Sequence, residues 1–71
     1  MSHTPEDFLC PISRLLMEHP FITTGGNTYE HSAISTWFEV HNTDPQTNAR
    51  LPSLMLIPNL LLRSQIQEWI A

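Results

Sequence analysis

The chain has 71 residues, with three arginines, no lysine and seven carboxylates, and its formal net charge is −4. This length predicts one small domain, near the lower size limit for a single hydrophobic core. The acidic balance argues against a nucleic-acid-binding domain, because such domains normally carry a basic stripe. A membrane protein is also not expected, since no apolar run approaches the roughly 18 residues of a membrane span.

Cysteine and histidine usage limits what can stabilise so small a domain. Cys10 is the only cysteine, which excludes an internal disulfide. A reducing intracellular setting, cytoplasmic or nuclear, fits this count. The histidines are scattered and no paired-cysteine spacing exists, so neither a structural zinc ion nor another cofactor is expected. Hydrogen bonds are therefore expected to fix the loops.

The N-terminal segment combines a polar lead-in with a hydrophobic proline loop. Residues 1–7 are polar and are predicted to be disordered. Pro11 fixes its own φ angle and biases Cys10 away from a helix, so residues 8–12 are predicted to be extended or looped. More apolar residues occur here than one side of a loop can bury, so Ile12 is a candidate for exposure, although a core position fits it equally well. The residues that follow and can supply core are Leu15, Leu16 and Met17.

A β-hairpin is predicted next. The segment from Phe21 to Thr23 is aromatic and β-branched, the following glycines and Asn27 favour a turn, and Thr28 and Tyr29 begin the returning strand.

The central helix begins at Glu30 or His31, without a strong capping residue. Two apolar pairs stack at helical spacing along it: Ala33 with Trp37, and Ile34 with Phe38. We expect Phe38 to face the core and Trp37 to face outward between the loops.

The C-terminal half contains a second proline loop and a second helix. Residues 44–48 are rich in Asp, Thr and Asn, which bond readily to nearby backbone amides. Pro58 ends any preceding helix, and Asn59 is a good N-cap for the last one. The residues predicted to return to the core are Leu51, Leu54, Leu56 and Ile57. The last helix carries one apolar stripe, Leu62, Ile66, Trp69 and Ile70.

The two proline loops share one spacing, which is that of two Cys-x-x-Cys zinc-ligand pairs flanking a short helix. Each has a polar side chain, proline, any residue and a second polar side chain: Cys10-Pro11-Ile12-Ser13 and Asp44-Pro45-Gln46-Thr47. Ser13, Asp44 and Thr47 stand where most of the zinc ligands would be, and they are expected to form hydrogen bonds instead.

From residue 8 to residue 70 the sequence resembles the U-box domain, the zinc-free relative of the RING domain found in ubiquitin ligases. The motifs that carry the resemblance are, in chain order, Phe8-x-Cys10-Pro11-Ile12-Ser13, Pro20-Phe21-Ile22, Gly26-x-Thr28-Tyr29-Glu30, Ile34-x-x-Trp37-Phe38, Pro45-x-Thr47, Leu51, Leu56-Ile57-Pro58-Asn59, Leu62-Arg63, Ile66 and Trp69. The resemblance implies a U-box domain over residues 8–71. Its α+β fold would place two loops and a β-hairpin around a central helix, with a C-terminal helix behind it and no metal.

The resemblance also implies an activity. A U-box binds a ubiquitin-conjugating enzyme charged with ubiquitin and promotes transfer of ubiquitin to a lysine of a substrate protein, which is unidentified here. It supplies no nucleophile and acts by orientation, so Cys10 is expected to be a buried structural residue. A homodimer is a further possible assembly.

Site residues follow from the same resemblance. Those matching the conjugating-enzyme surface are Ile12, Trp37 and Pro45, together with Pro11 and Arg14. Asn48 matches the linchpin position, whose residue contacts both ubiquitin and the conjugating enzyme. The structural hydrogen-bond network is expected to include Ser13, Glu30, His31, Asp44 and Thr47.

Several positions depart from the family pattern. His31 replaces the usual arginine, His19 replaces a common aspartate, and Gln46 and Arg14 are polar where many members are apolar. The alternative is therefore a divergent U-box that no longer engages a conjugating enzyme and acts as a substrate-binding, scaffold or dimerisation module.

Overall fold

The computed structural model describes residues 3–71 and confirms the predicted α+β architecture. Its elements are a 3₁₀ turn at Glu6–Phe8, β1 at Pro20–Ile22, β2 at Thr28–Glu30, α1 at His31–Phe38, β3 at Ile57–Pro58 and α2 at Leu60–Ile70. The strands form one antiparallel sheet in the order β2-β1-β3. Because α1 follows β2 directly, the start of the central helix is fixed by the hairpin.

The N-terminal segment contains a turn that crosses the predicted boundary between residues 7 and 8. The Phe8 N–H donates to the Pro5 carbonyl at 3.0 Å. The Phe8 ring also packs edge-to-face against Trp69 of α2, with ring centroids 5.9 Å apart. These contacts fix the chain just before residue 8. The disorder predicted for residues 1–7 stays a prediction, and residues 1–2 lie outside the described residues.

The strands β1 and β2 form the predicted hairpin. Phe21 pairs with Tyr29 across the two strands. The Thr23 N–H donates to the Asn27 carbonyl at 2.9 Å and closes the turn. Gly26 has a φ of 89°, a conformation that glycine adopts without the steric penalty of a Cβ.

The hydrophobic core receives side chains from the N-terminal half of the domain and from α2. Its buried members are Cys10, Met17, Tyr29, Ile34 and Ile66. Partly buried side chains surround them: Phe8, Leu16, Ala33, Trp37, Phe38, Leu56 and Leu62. The core thus joins the first proline loop, the hairpin and both helices.

Three residues predicted to be core are exposed. Leu15, Leu54 and Ile57 expose 68%, 40% and 55% of their surface. Leu15 belongs to the first proline loop, and its carbonyl and N–H both form hydrogen bonds within that loop. Leu54 lies in an irregular segment, and Ile57 lies on the edge strand β3.

Asn59 caps α2 as predicted and also ties this helix to the sheet. Its side-chain oxygen accepts the Leu62 N–H at 3.1 Å, its amide donates to the Thr28 hydroxyl at 3.1 Å, and its N–H donates to the Pro20 carbonyl at 2.8 Å. Within residues 3–71, neither helix has the length and apolar character needed to cross a membrane.

Candidate functional site: two matched proline loops

Loop 1, residues 10–15, closes on itself through two backbone hydrogen bonds. The Arg14 N–H donates to the Cys10 carbonyl at 2.7 Å, and the Cys10 N–H donates to the Leu15 carbonyl at 2.9 Å. The Ser13 hydroxyl accepts the Leu15 N–H at 3.3 Å. Arg14 has a φ of 62°, in the left-handed region that residues with a Cβ seldom adopt.

Loop 2, residues 44–49, repeats this arrangement. The Asn48 N–H donates to the Asp44 carbonyl at 2.7 Å, and the Asp44 N–H donates to the Ala49 carbonyl at 2.8 Å. The Thr47 hydroxyl accepts the Ala49 N–H at 3.2 Å. Asn48 has a φ of 61°, which asparagine tolerates better than most residues. One antiparallel bridge flanks each loop: Leu9 with Leu16, and Thr43 with Arg50.

A buried carboxylate connects loop 2 to the hairpin. The Asp44 side chain is only 1% exposed. It accepts hydrogen bonds from the Tyr29 hydroxyl and, at 2.8 Å, from the Asn27 side-chain amide. It also accepts the Gln46 N–H at 2.8 Å. Gly25 leaves room for this network, because a Cβ there would lie 3.1 Å from an Asp44 carboxylate oxygen.

The Asp44 network shifts two pKa values in opposite directions. Burial alone would raise the pKa of Asp44, but the hydrogen bonds from Tyr29, Asn27 and the loop backbone outweigh burial and lower this pKa from its ordinary value of 3.8. Burial and, next, the hydrogen bond to the Asp44 carboxylate raise the pKa of Tyr29 to about 12. The network therefore favours an ionised Asp44 and a neutral Tyr29.

A buried thiol and a glutamate connect loop 1 to the hairpin. Cys10 is fully buried, and its sulfur accepts the Glu30 N–H at 3.3 Å. The Glu30 carboxylate accepts the N–H groups of Glu18 at 3.1 Å and His19 at 2.8 Å. Glu30 thus joins the end of β2 to the segment that leaves loop 1.

His31 makes an aromatic contact at the start of α1. Its backbone N–H donates to the His19 carbonyl at 2.9 Å. Its imidazole packs edge-to-face against Phe21 of β1, with ring centroids 4.6 Å apart. A hydrogen-bonding role for this side chain stays a prediction.

Trp37 is half-buried and connects α1 to the start of loop 2. Its Nε1–H donates to the Thr43 carbonyl at 2.7 Å. The indole also stacks on His41, with ring centroids 3.9 Å apart and the two planes inclined by 25°. The ring that the sequence predicts to face outward is therefore held in one orientation.

The other predicted contact residues lie on the two loops. Ile12 is 37% exposed, Asn48 is exposed, and Pro45 is half-buried. A cleft of about 450 Å³ is lined by residues from both loops, among them Pro11, Arg14 and Gln46. Their binding roles stay predictions. Among residues 3–71, no three His, Cys, Asp or Glu side chains form a group that could hold a metal ion.

The hydrogen-bond partners of the buried Asp44 carboxylate could not be predicted from the sequence. The local pattern around Asn27 and Tyr29 predicts a hairpin, and nothing in it indicates a hydrogen bond to Asp44. The contact between Trp37 and His41 could have been found, because residues four positions apart share a helical face.

Comparisons with known proteins identify the family of this chain. The sequence pattern of the U-box domain family matches residues 4–71. U-box domain-containing protein 36 from Arabidopsis thaliana is 54% identical over 67 residues, which cover 93% of this chain and 15% of that protein. U-box domain-containing protein 37 from the same plant is 51% identical, with coverages of 93% and 17%.

A relative from an animal has the same type of domain. The WD repeat, SAM and U-box domain-containing protein 1 from Gallus gallus is 43% identical over 67 residues, which cover 93% of this chain and 14% of that protein. This chain therefore spans less than a fifth of the length of these relatives. With nearly its whole length matched, the chain belongs to the U-box domain family, a family of ubiquitin-ligase domains.

Proposed function

We propose that this domain binds a ubiquitin-charged conjugating enzyme through loop 1, Trp37 and loop 2, and promotes transfer of ubiquitin to a substrate lysine. Family membership supports the proposal. The observation that carries it is the state of Trp37, whose indole is partly exposed and yet bonded to loop 2. Ile12 adds an exposed apolar side chain on loop 1. A partly exposed aromatic residue on α1 and an exposed aliphatic residue on loop 1 are suited to anchor a small interface.

In this proposal the domain acts by orientation and supplies no reacting group. The Cys10 thiol is fully buried and bonded to Glu30, so it is not placed to attack a thioester. Asn48 is exposed on loop 2 in a fixed left-handed conformation, from which its side chain would contact both ubiquitin and the conjugating enzyme. Restricting the motion of the charged ubiquitin would favour attack by the acceptor lysine. The proposed partners place the protein inside the cell.

Single-turnover discharge of ubiquitin onto free lysine tests this proposal. A panel of charged conjugating enzymes is measured with and without the domain, and we expect an acceleration of about tenfold or more with at least one enzyme. The chain has no lysine, so it offers no side-chain amine that could compete with free lysine as the ubiquitin acceptor. No acceleration across the panel would contradict the proposal and favour an interaction module that has lost conjugating-enzyme binding.

A further inference from the structure

The Trp37 indole contacts two groups of the domain, one at the edge of the ring and one on its face. Its Nε1–H donates to the Thr43 carbonyl at 2.7 Å, which fixes that edge to the chain just before loop 2. The His41 imidazole covers one face, with ring centroids 3.9 Å apart and an angle of 25° between the planes. A partner can therefore meet only the remaining surface of the indole.

His41 reaches this position because the helical hydrogen-bond pattern continues beyond the end of α1. The His41 N–H donates to the Trp37 carbonyl at 3.0 Å, which is the bond between residues four apart in an α-helix. Residues with this spacing lie on the same helical face. The side chain of His41 is exposed and does not belong to the buried core, so its stacking on Trp37 is separable from the packing of the fold.

We propose that His41 is a positioning residue for partner binding: its imidazole holds the Trp37 indole in the orientation in which the ring meets the conjugating enzyme. This inference rests on the proposed function above. An aromatic anchor that is fixed before association loses less conformational freedom when it binds. Stacking of two aromatic rings corresponds to a factor of about two to ten in an equilibrium constant, and we expect an effect of this size on affinity.

The orientation of the ring can be measured without any partner. Hydrogen exchange of the Trp37 Nε1–H, followed by ¹⁵N NMR, reports how often its bond to Thr43 opens. Trp69 is the only other tryptophan, so the variant Trp69→Phe assigns the signal. We expect His41→Ala to accelerate this exchange by about two- to tenfold.

Two further variants separate stacking from a general disturbance of the helix end. His41→Phe keeps an aromatic ring at this position and should restore slow exchange. Val40→Ala removes a neighbouring side chain that is 77% exposed, and it should leave the exchange rate unchanged.

Binding is then measured for the same variants with a conjugating enzyme that the wild-type domain engages. We expect His41→Ala to weaken binding by about two- to tenfold while the domain stays folded at the assay temperature, and His41→Phe to restore it. Val40→Ala should bind like the wild type. Trp37→Ala, measured alongside, shows whether binding uses the indole at all.

The inference is overturned if His41→Ala leaves the indole exchange unchanged, or if faster exchange is accompanied by unchanged binding. If the wild-type domain and Trp37→Ala both fail to bind every enzyme of the panel, the proposed function is overturned, and with it the binding part of this inference. The exchange rates then still decide whether His41 holds the ring, so the two failures are distinguishable.

Discussion

Loop 1 and loop 2 close their backbones in the same way but are anchored to the domain by different groups. Each has a carbonyl that accepts the N–H four residues later at 2.7 Å, a left-handed residue at that position, and a hydroxyl that accepts the next N–H. At the first position, however, loop 1 has the fully buried thiol of Cys10 and loop 2 has the buried carboxylate of Asp44.

This comparison separates two features: the backbone hydrogen bonds, which both loops share, and the buried side chain at the first position, which differs between them. The same backbone bonds close both loops, and in loop 2 the first side chain adds a bond within the loop, from the Gln46 N–H to the Asp44 carboxylate. The first side chain also attaches the loop to the hairpin, through the Glu30 N–H for Cys10 and through the Tyr29 hydroxyl and the Asn27 amide for Asp44. Loop 2 should therefore be the more sensitive of the two to substitution and to pH.

The largest expected effect is on the free energy of unfolding when Asp44 or Cys10, the first residue of each loop, is replaced by alanine. Asp44→Ala leaves the buried Tyr29 hydroxyl and the Asn27 amide without their acceptor, and we expect a loss of about 2–4 kcal/mol in the free energy of unfolding. Cys10→Ala removes one weak acceptor and leaves a small cavity, and we expect a loss of about 1–2 kcal/mol. Urea denaturation of both variants measures the difference. Equal losses would mean that the two anchors are equivalent.

A second effect is expected at alkaline pH. Because the folded pKa of Tyr29 is raised from 10 to about 12, its contribution to stability is fully present below pH 10 and is lost as the pH rises through 12. Two pKa units correspond to roughly 2–3 kcal/mol. The chain has no lysine and a single tyrosine, and denaturation measured between pH 10 and 12 isolates the Tyr29 contribution when it is compared with a variant that lacks the hydroxyl.

The control for the alkaline measurement is Tyr29→Phe. This variant lacks the titrating hydroxyl, so its stability should be lower at pH 7 but nearly flat between pH 10 and 12. An equally steep alkaline decline in Tyr29→Phe would show that another group causes it.

The smallest expected effect concerns the two residues with a left-handed backbone conformation, Arg14 in loop 1 and Asn48 in loop 2. Arginine at a φ of 62° is strained by its Cβ, whereas asparagine at 61° is better tolerated. After the entropic penalty of glycine in the unfolded chain is subtracted, Arg14→Gly should raise the free energy of unfolding by about 0.5 kcal/mol. Asn48→Gly should leave it nearly unchanged. Chemical denaturation distinguishes the two, and a larger gain for Asn48→Gly would contradict the difference in strain.

Much of the fold could be predicted because its signals are local. Hydrophobic periodicity indicated α1, the glycines and Asn27 indicated the hairpin turn, and Asn59 indicated the start of α2. The exposure of Leu15 and Ile57 could not be predicted, since it depends on loop closure and on the position of β3 at the sheet edge.

The site was predictable in its positions but not in its bonds. Its loop residues follow from the resemblance of the proline motifs, while the partners of Asp44 lie 15 and 17 positions away in the sequence. Such pairs become neighbours only when the hairpin meets loop 2. The histidine at position 31 illustrates the same limit, because its contact with Phe21 depends on how α1 leaves the sheet.

The central claim is that rigid loops present Ile12 to a conjugating enzyme, and a paired measurement on two variants tests it most directly. Ile12→Ala removes the exposed anchor of loop 1, while Leu15→Ala removes an apolar side chain of the same loop that is 68% exposed and is not a predicted contact. Melting temperature and single-turnover ubiquitin discharge are measured for both variants and for the wild type.

We expect Ile12→Ala to weaken binding of the conjugating enzyme by about ten- to a hundredfold, so that discharge falls towards the rate without the domain while the melting temperature stays close to that of the wild type. Leu15→Ala should retain both properties. Equal losses of discharge in the two variants, or a fall in the stability of Ile12→Ala that matches its loss of activity, would contradict the claim.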